Sequence, residues 1–345
     1  MDTTHSYESQ SALFSEISHR RVSASWWVRD LPTTVQVKKH FIKRRFATDE
    51  TILALRDAGD KLGIKDAKNW WPSNESDLFF EPWHTRKMNY STQCHMPETL
   101  PGAWQEALPA FGVGPWYEYD LNSAYAWAGS IRELPCHWTA WAAQPWKPGS
   151  HGIWLCWVLA SSYHSLPPHI RAALGGEYPV WVTHEEINSL ELTVSSIRGI
   201  EFGAWEDLRP RFDAVRNAVG KNRDVWKSVF RKFWGRWLSP TGPLHRGHKN
   251  NTSRVLPNLF FDPARALFIL SRVRLRLAEV AADAVHIYVD AVITREKLAT
   301  SDEIGGWKLK NTYTGMTIRH PGSWVASDPA GRPVEKHAGE CRRLA

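Results

Sequence analysis

The stretch "YEYDLNSAYAW", residues 117–127, runs through alternating aromatics to an acid, Asp120, and then changes character. Residues 116–120, "WYEYD", read as a strand, because aromatic side chains recur at the period of a pleated, half-buried surface. Two small polar residues, Asn122 and Ser123, follow Leu121, and the chain then enters a short helix carrying Tyr125. A carboxylate at a strand end projects past the edge of its sheet.

A second acid stands in the same kind of place. "VHIYVD" and "AVITRE" form two short strands meeting at Asp290, 170 residues beyond Asp120. If the two strands are neighbours, the carboxylates converge. Paired carboxylates suit a hard divalent cation such as Mg2+, which takes oxygen ligands and keeps positions for water and phosphate. Two such ions clamp the attacking and leaving oxygens of a phosphoryl transfer, and nearby Lys and Arg neutralise a triphosphate. An isolated Asp at a strand end serves more often as a turn former or cap than in catalysis. The combination carries the case.

Composition sets the frame. A chain of 345 residues with 43% hydrophobic content makes one large domain or two to three packed subdomains. No apolar run reaches the roughly 18–20 residues of a membrane span. The N-terminal "MDTTHSYESQ" lacks the features of a signal peptide. Four scattered cysteines (Cys94, Cys136, Cys156, Cys341) with no C-x-x-C pair argue for reduced thiols and against a disulfide scaffold or zinc knuckle. A cytoplasmic setting, in a bacterial cell or a phage-infected host, is the expectation. Net charge is +7 with pI ≈ 9.2, and there are 20 tryptophans. Cations neutralise phosphates and indoles stack on bases, so the balance suits a nucleic-acid binder; packing in the core is the other use of so many indoles.

The charge is concentrated. Residues 209–236, "RPRFDAVRNAVGKNRDVWKSVFRKFWGR", hold nine Lys/Arg against two Asp. They read as two helices broken at Gly220. Upstream, residues 1–110 combine a helical stretch, carrying five basic residues between Lys38 and Arg45, with turn-rich loop. That basic cluster fits either a nucleic-acid backbone or a solvated helix face. "GIWLCWVLA" (152–160) and "YPVWVT" (178–183) read as strands, and Thr183 with Glu186 makes a capping box opening a helix. "LHRGHKNNTS" (244–253) reads as polar loop and 263–284 as one long amphipathic helix with Pro263 in its first turn. More strands are expected over 304–325, followed by a loose polar tail.

On these residues the chain resembles B-family DNA polymerases, of the small type found in viruses and mobile elements, and in particular the palm and fingers of protein-primed bacteriophage polymerases. "DLNSAYAW" is similar to motif A, D-x-x-S-L-Y-P-S: Asp120, Ser123 and Tyr125 match, whereas Ala124, Ala126 and Trp127 depart. "KSVFRKFWG" has the spacing of motif B, K-x-x-x-N-S-x-Y-G. Lys227 and Gly235 match, Trp234 replaces the tyrosine, and Arg231 and Lys232 replace Asn-Ser. "IYVDAVIT" resembles motif C, Y-x-D-T-D-S. The favoured register puts Asp290 on the second, metal-binding acid and Tyr288 on the first; the other register puts Val292 on the second acid. "IGGWKLKNTY" resembles G-x-W-K-x-E, with Lys308 on the lysine, and the helix with Arg272 resembles the one preceding motif C.

The resemblance covers about 115–325 and implies an α+β fold: an antiparallel palm sheet with packed helices, short two-helix fingers, and a minimal or absent thumb. The implied organisation is an N-terminal helical and loop region (1–110) without exonuclease, palm with motif A (111–205), fingers with motif B (206–240), palm with motif C (241–325) and a flexible tail (326–345). No D-x-E occurs in 1–110. By the same resemblance Asp120 and Asp290 are catalytic and, with the Leu121 carbonyl, bind two Mg2+, for which Mn2+ can substitute. Asn122, Ser123, Tyr125, Arg216, Lys221, Lys227 and Arg231 contact the dNTP, with Tyr125 excluding a 2′-hydroxyl. Trp234, Gly235, Arg272 and Lys308 contact DNA, either primer-template or single-stranded. A terminal or accessory protein is a further expected partner. Two alternatives stay open: a template-independent or protein-primed nucleotidyltransferase, and an inactive palm acting as a DNA-binding accessory.

Overall fold

The computed structural model describes residues 101–343, apart from 109, 138–140, 143–144, 161–162, 164, 175–177, 220–236, 238–240, 247–252, 258–262 and 338–339. In the first half, β1 (Gln105–Ala107) and β2 (Phe111–Leu121) precede α1 (Ala124–Ser130), then β3 (Leu134–His137), β4 (Trp141–Ala142) and β5 (Gly152–Leu159). Next come α2 (Pro168–Ala173), β6 (Val180–Thr183), α3 (His184–Ser189), β7 (Thr193–Glu201), β8 (Ala204–Glu206) and α4 (Arg209–Val219). The second half holds β9 (Thr241–Arg246), β10 (Ser253–Pro257), α5 (Pro263–Ala278), β11 (Ala284–Tyr288) and β12 (Ala291–Thr294). It closes with β13 (Trp307–His320), β14 (Ser323–Ser327), β15 (Pro333–His337) and β16 (Glu340–Arg343).

Eight strands form one antiparallel sheet in the order β1-β11-β12-β2-β13-β14-β15-β16, so α+β is the observed class. β2 is central because its sequence alternates between two cores. Tyr119 and Leu121 enter the core built by α1 and α5, while Trp116 belongs to a second core with Ile293, Tyr313, Met316, Ile318 and Trp324 on the opposite face. The sheet curls over that second face: Lys336 on β15 reaches Glu118 on β2, three strands away in the order, at 2.7 Å. A separate four-stranded sheet, β4-β7-β5-β6, carries α3, whose N-terminus is the expected Thr183/Glu186 capping box.

Several expectations are corrected. The tail after residue 326 is not loose: β15 pairs with β14, and β16 with β15. The polar stretch around 244–253 contributes the ends of a β9–β10 hairpin. The long helix stops at Ala278 rather than 284, with main-chain turns over 278–284. Of the basic helical pair, α4 is the first member; Gly220 and the second member lie outside the described residues, as does the N-terminal region through residue 100.

α5 is buried almost all round, and its arginines explain how. Arg265, Arg272 and Arg274 are each at most 2% exposed. Arg272 donates to both Glu185 oxygens (2.8–3.1 Å) and to the carbonyls of Ala128, Arg132 and Glu133. Arg274 binds Glu186 and the carbonyls of Pro101 and Gly102. Arg265 binds Glu206 and the Pro135 carbonyl, with its guanidinium 5.4 Å from the Trp237 ring centroid. The assignment of Arg272 to DNA is therefore corrected: its donors are spent inside the protein, tying α5 to α1 and α3. Removing one member of a buried pair strands the other charge, at a cost of about 3–5 kcal/mol. Arg272→Met is expected to lower the urea unfolding midpoint accordingly, and Arg272→Met with Glu185→Gln to recover part of the loss.

Candidate active site

β2 delivers Asp120 with its strand paired on both sides. Asp120 lies opposite Ala291 on β12 and opposite Lys308 on β13. It shares its face with Trp116 and Glu118, since side chains alternate, and its side chain is 31% exposed. The chain then leaves the strand abruptly. Ser123 takes the left-handed conformation (φ 54°, ψ 46°), which small polar residues tolerate. Asn122 is fastened by four hydrogen bonds to the 302–306 loop. Its main chain exchanges bonds with Gly305 and Gly306, and its amide donates to the carbonyls of Asp302 (2.6 Å) and Glu303 (3.0 Å). The amide of Asn122 is thus committed to positioning the loop that leads into β13.

The second acid sits in the turn between β11 and β12. Tyr288 pairs with Ala291, leaving Val289 and Asp290 to make the bend. The Asp290 N–H donates to the Tyr288 carbonyl (2.9 Å), closing a three-residue turn around Val289 at φ 66°. Val289 donates to the Trp104 carbonyl at 2.8 Å, and the Asp290 carbonyl accepts the Leu121 N–H at 2.9 Å. Asp120 and Asp290 therefore stand at adjoining ends of paired strands, Asp290 accepting a main-chain hydrogen bond from the residue that follows Asp120.

β13 adds two cations. Exposed Lys308 faces Asp120 directly across the pair. A register shift between Leu309 and Asn311 gives β13 one extra residue, Lys310; bulges of this kind re-aim a side chain. Its Nζ lies 3.3 Å from the Asp120 Oδ2. Lys310 was not anticipated from the sequence, where only the Lys308-x-Lys310 spacing hinted at it. Among the described residues, no group of three or more His, Cys, Asp or Glu is placed to hold a metal ion. The candidate donors are two carboxylates with main-chain oxygens, a set whose chemistry fits a hard divalent cation.

The other expected residues are dispersed. Leu121 is buried in the main core and Tyr125 is partly buried against it. Exposed Arg216 on α4 lines a cleft of ≈ 220 Å³ with Trp127, Ser130 and Arg209. At 3.6 residues per turn, Trp127 is about 200° around α1 from Tyr125, so the cleft opens on a different side of that helix. Lys221, Lys227, Arg231, Trp234 and Gly235 lie outside the described residues.

No protein-family model and no curated protein sequence matches the chain. Solved structures do. Phi29 DNA polymerase in a ternary complex with primer-template DNA and incoming nucleotide matches with TM-score 0.58. Its complexes with single-stranded DNA and with primer-template DNA give 0.57 and 0.55. In all three the identity is 13%, and the match covers 89% of this chain and 62% of that one. The fold is polymerase-like. Among the described residues no helix is long and apolar enough to cross a membrane.

Within this polymerase-like sheet lies a polar cluster that sequence reasoning missed. Glu118, two residues before Asp120 on the same face, is buried and accepts from Lys336 (2.7 Å), Asn311 (2.8 Å) and Tyr313 (2.7 Å). Burial pushes its carboxyl up, but the Lys336 charge and the three donated bonds outweigh burial and hold it below the ordinary range. His286 accepts the Gly322 N–H at 2.9 Å. Burial chiefly, with Lys336 and His320 adding and Glu118 opposing, brings its pKa from 6.5 down to about 4. Between those two values the unfolded chain binds the extra proton, so stability falls as pH drops from 6.5 toward 4. Glu118 acts lower, since its contribution is complete above 4.5, its unfolded value. Urea unfolding at pH 7 and pH 5 is expected to show wild type losing about 1–2 kcal/mol more than His286→Gln.

Proposed function

We propose that this chain is a nucleotidyltransferase of the DNA-polymerase type, adding deoxynucleotides to a 3′-hydroxyl. The carrying observation is the β2–β12 pairing, which brings Asp120 and Asp290 to adjoining strand ends in a polymerase-like fold. Asp120, Asp290 and the Leu121 carbonyl are the groups that would hold Mg2+, or Mn2+ in its place. A divalent ion bound there supplies Lewis-acid activation of the α-phosphate and charge neutralisation of the departing pyrophosphate. Lys308 and Lys310 place positive charge beside the same carboxylate, where it complements the phosphates of nucleotide and primer. Tyr125, five residues after Asp120, stands under the sugar and excludes a 2′-hydroxyl. Lys227 completes the phosphate contacts.

Primer-template and single-stranded DNA, with which the phi29 enzyme was solved, are the partners this reading assigns. The chain spans less than two thirds of that enzyme, so template use and priming by a protein hydroxyl are separate proposals within the same chemistry. One observation favours a second reading, an inactive palm that binds DNA. The position expected for another motif C acid holds Tyr288, which stacks near His286 and lies against Gly322.

Primer extension with Mg2+ or Mn2+ separates these readings. Asp290→Asn is expected to lower dNTP incorporation by about 10³-fold or more while leaving DNA retention in a mobility-shift assay unchanged. No incorporation by wild type would decide for the inactive palm. Tyr125→Ala is expected to raise ribonucleotide incorporation about 10–100-fold relative to dNTP, read from single-nucleotide extension; unchanged discrimination would remove Tyr125 from that role.

A further inference from the structure

We propose that Lys310 is the resident counter-ion of Asp120: its ammonium sits where a divalent cation would bind and must leave before one does. The inference rests on the nucleotidyltransferase reading and adds a specificity: the site admits a divalent cation together with a polyphosphate and excludes the bare ion.

Four observations carry it. The Lys310 Nζ lies 3.3 Å from the Asp120 Oδ2, within ion-pairing distance. The contact is built into the strand. Asn311 pairs with Glu118 and Leu309 with Tyr119, so Lys310 is the unpaired extra residue between them. Without that extra residue Lys310 would stand opposite Glu118, a position that Asn311 fills by donating to Glu118 at 2.8 Å. Lys336 is bound to Glu118 at 2.7 Å, so that neighbouring carboxylate has its own ammonium. Lys308, directly across from Asp120, adds a second positive charge on the same face.

The charge balance gives the consequence. Among the described residues, Lys310 already compensates Asp120 and Lys308 adds a second positive charge on that face, so a free divalent cation is attracted weakly. A bare ion displacing Lys310 leaves an uncompensated ammonium beside it. A divalent cation carried by a polyphosphate arrives with a net negative charge, and the displaced ammonium transfers to a phosphate oxygen. Lys310 is 41% exposed, so it has solvent-side freedom to swing. Partial exposure also screens the pair, which limits the expected effect to about fivefold.

The test uses the full chain and Mn2+ as probe, its bound fraction read by electron paramagnetic resonance, alone and with inorganic tripolyphosphate. Lys310→Met is expected to bind Mn2+ alone about fivefold tighter than wild type, and Lys310→Arg to bind as weakly as wild type. With tripolyphosphate the advantage of Lys310→Met is expected to disappear, because the variant lacks the ammonium that meets the phosphate. Equal Mn2+ affinity in wild type and Lys310→Met, abolished in both by Asp120→Asn, would overturn the counter-ion role and leave the two-carboxylate site intact. Mn2+ binding to Lys310→Met that survives Asp120→Asn would overturn both readings.

Discussion

The hydrogen bond from the Leu121 N–H to the Asp290 carbonyl is the contact on which the arrangement depends. It closes the ladder between β2 and β12 at the point where both strands end, and it fixes which residues face which core. Register in a sheet has a period of two, so a one-residue slip would turn Asp120 toward the helices and Tyr119 away from them. Tyr119 and Leu121 prevent the slip, because both are 1% exposed within the α1–α5 core. The apolar residues of β2 thereby determine where its acid points.

The helical side of that core is held by charge as much as by apolar packing. Three arginines on one helix, each buried and each met by a glutamate, carry large desolvation penalties that only near-complete hydrogen bonding offsets. Arg272 shows the degree of satisfaction: two carboxylate oxygens of Glu185 and three carbonyls of the 128–133 stretch. Such a network is geometrically demanding, since a small shift of α5 leaves several polar groups unpaired. It fixes α1, and so the position of Tyr125, more narrowly than apolar contact alone.

What could be read from sequence follows this division. The strand–turn–helix at 117–127, the Asp290 hairpin and the Thr183/Glu186 cap are local patterns whose cause lies within a few residues, and each is found in the structure. Arg272 was assigned to DNA through the resemblance of its helix alone, and the partner that buries it, Glu185, is 87 residues away. Lys310 escaped notice because a bulge is a property of the strand pair and leaves no mark on one strand's alternation. The C-terminal strands were hidden by their shortness and by Gly and Pro between them; they exist because the curled sheet offers Val334 an apolar surface and Lys336 a buried partner in Glu118.

Each acid has a residue in left-handed backbone within three positions, and the two cases differ in kind. Ser123, at φ 54°, is a residue type that accepts this conformation readily. Val289, at φ 66°, is not: a β-branched side chain at positive φ costs on the order of 1–3 kcal/mol. Such a residue persists only where its surroundings over-determine it, and here they do. The Val289 N–H is held by the Trp104 carbonyl on one side, and the Asp290 carbonyl by the Leu121 N–H on the other. Trp104, 1% exposed, is itself anchored in the main core. The strain at the bend is thus held by two independent elements, and what it achieves is orientation: a relaxed two-residue turn would present Asp290 at a different angle to Asp120. The strain falls at the turn beside the strand end that carries Asp120, rather than in a peripheral loop.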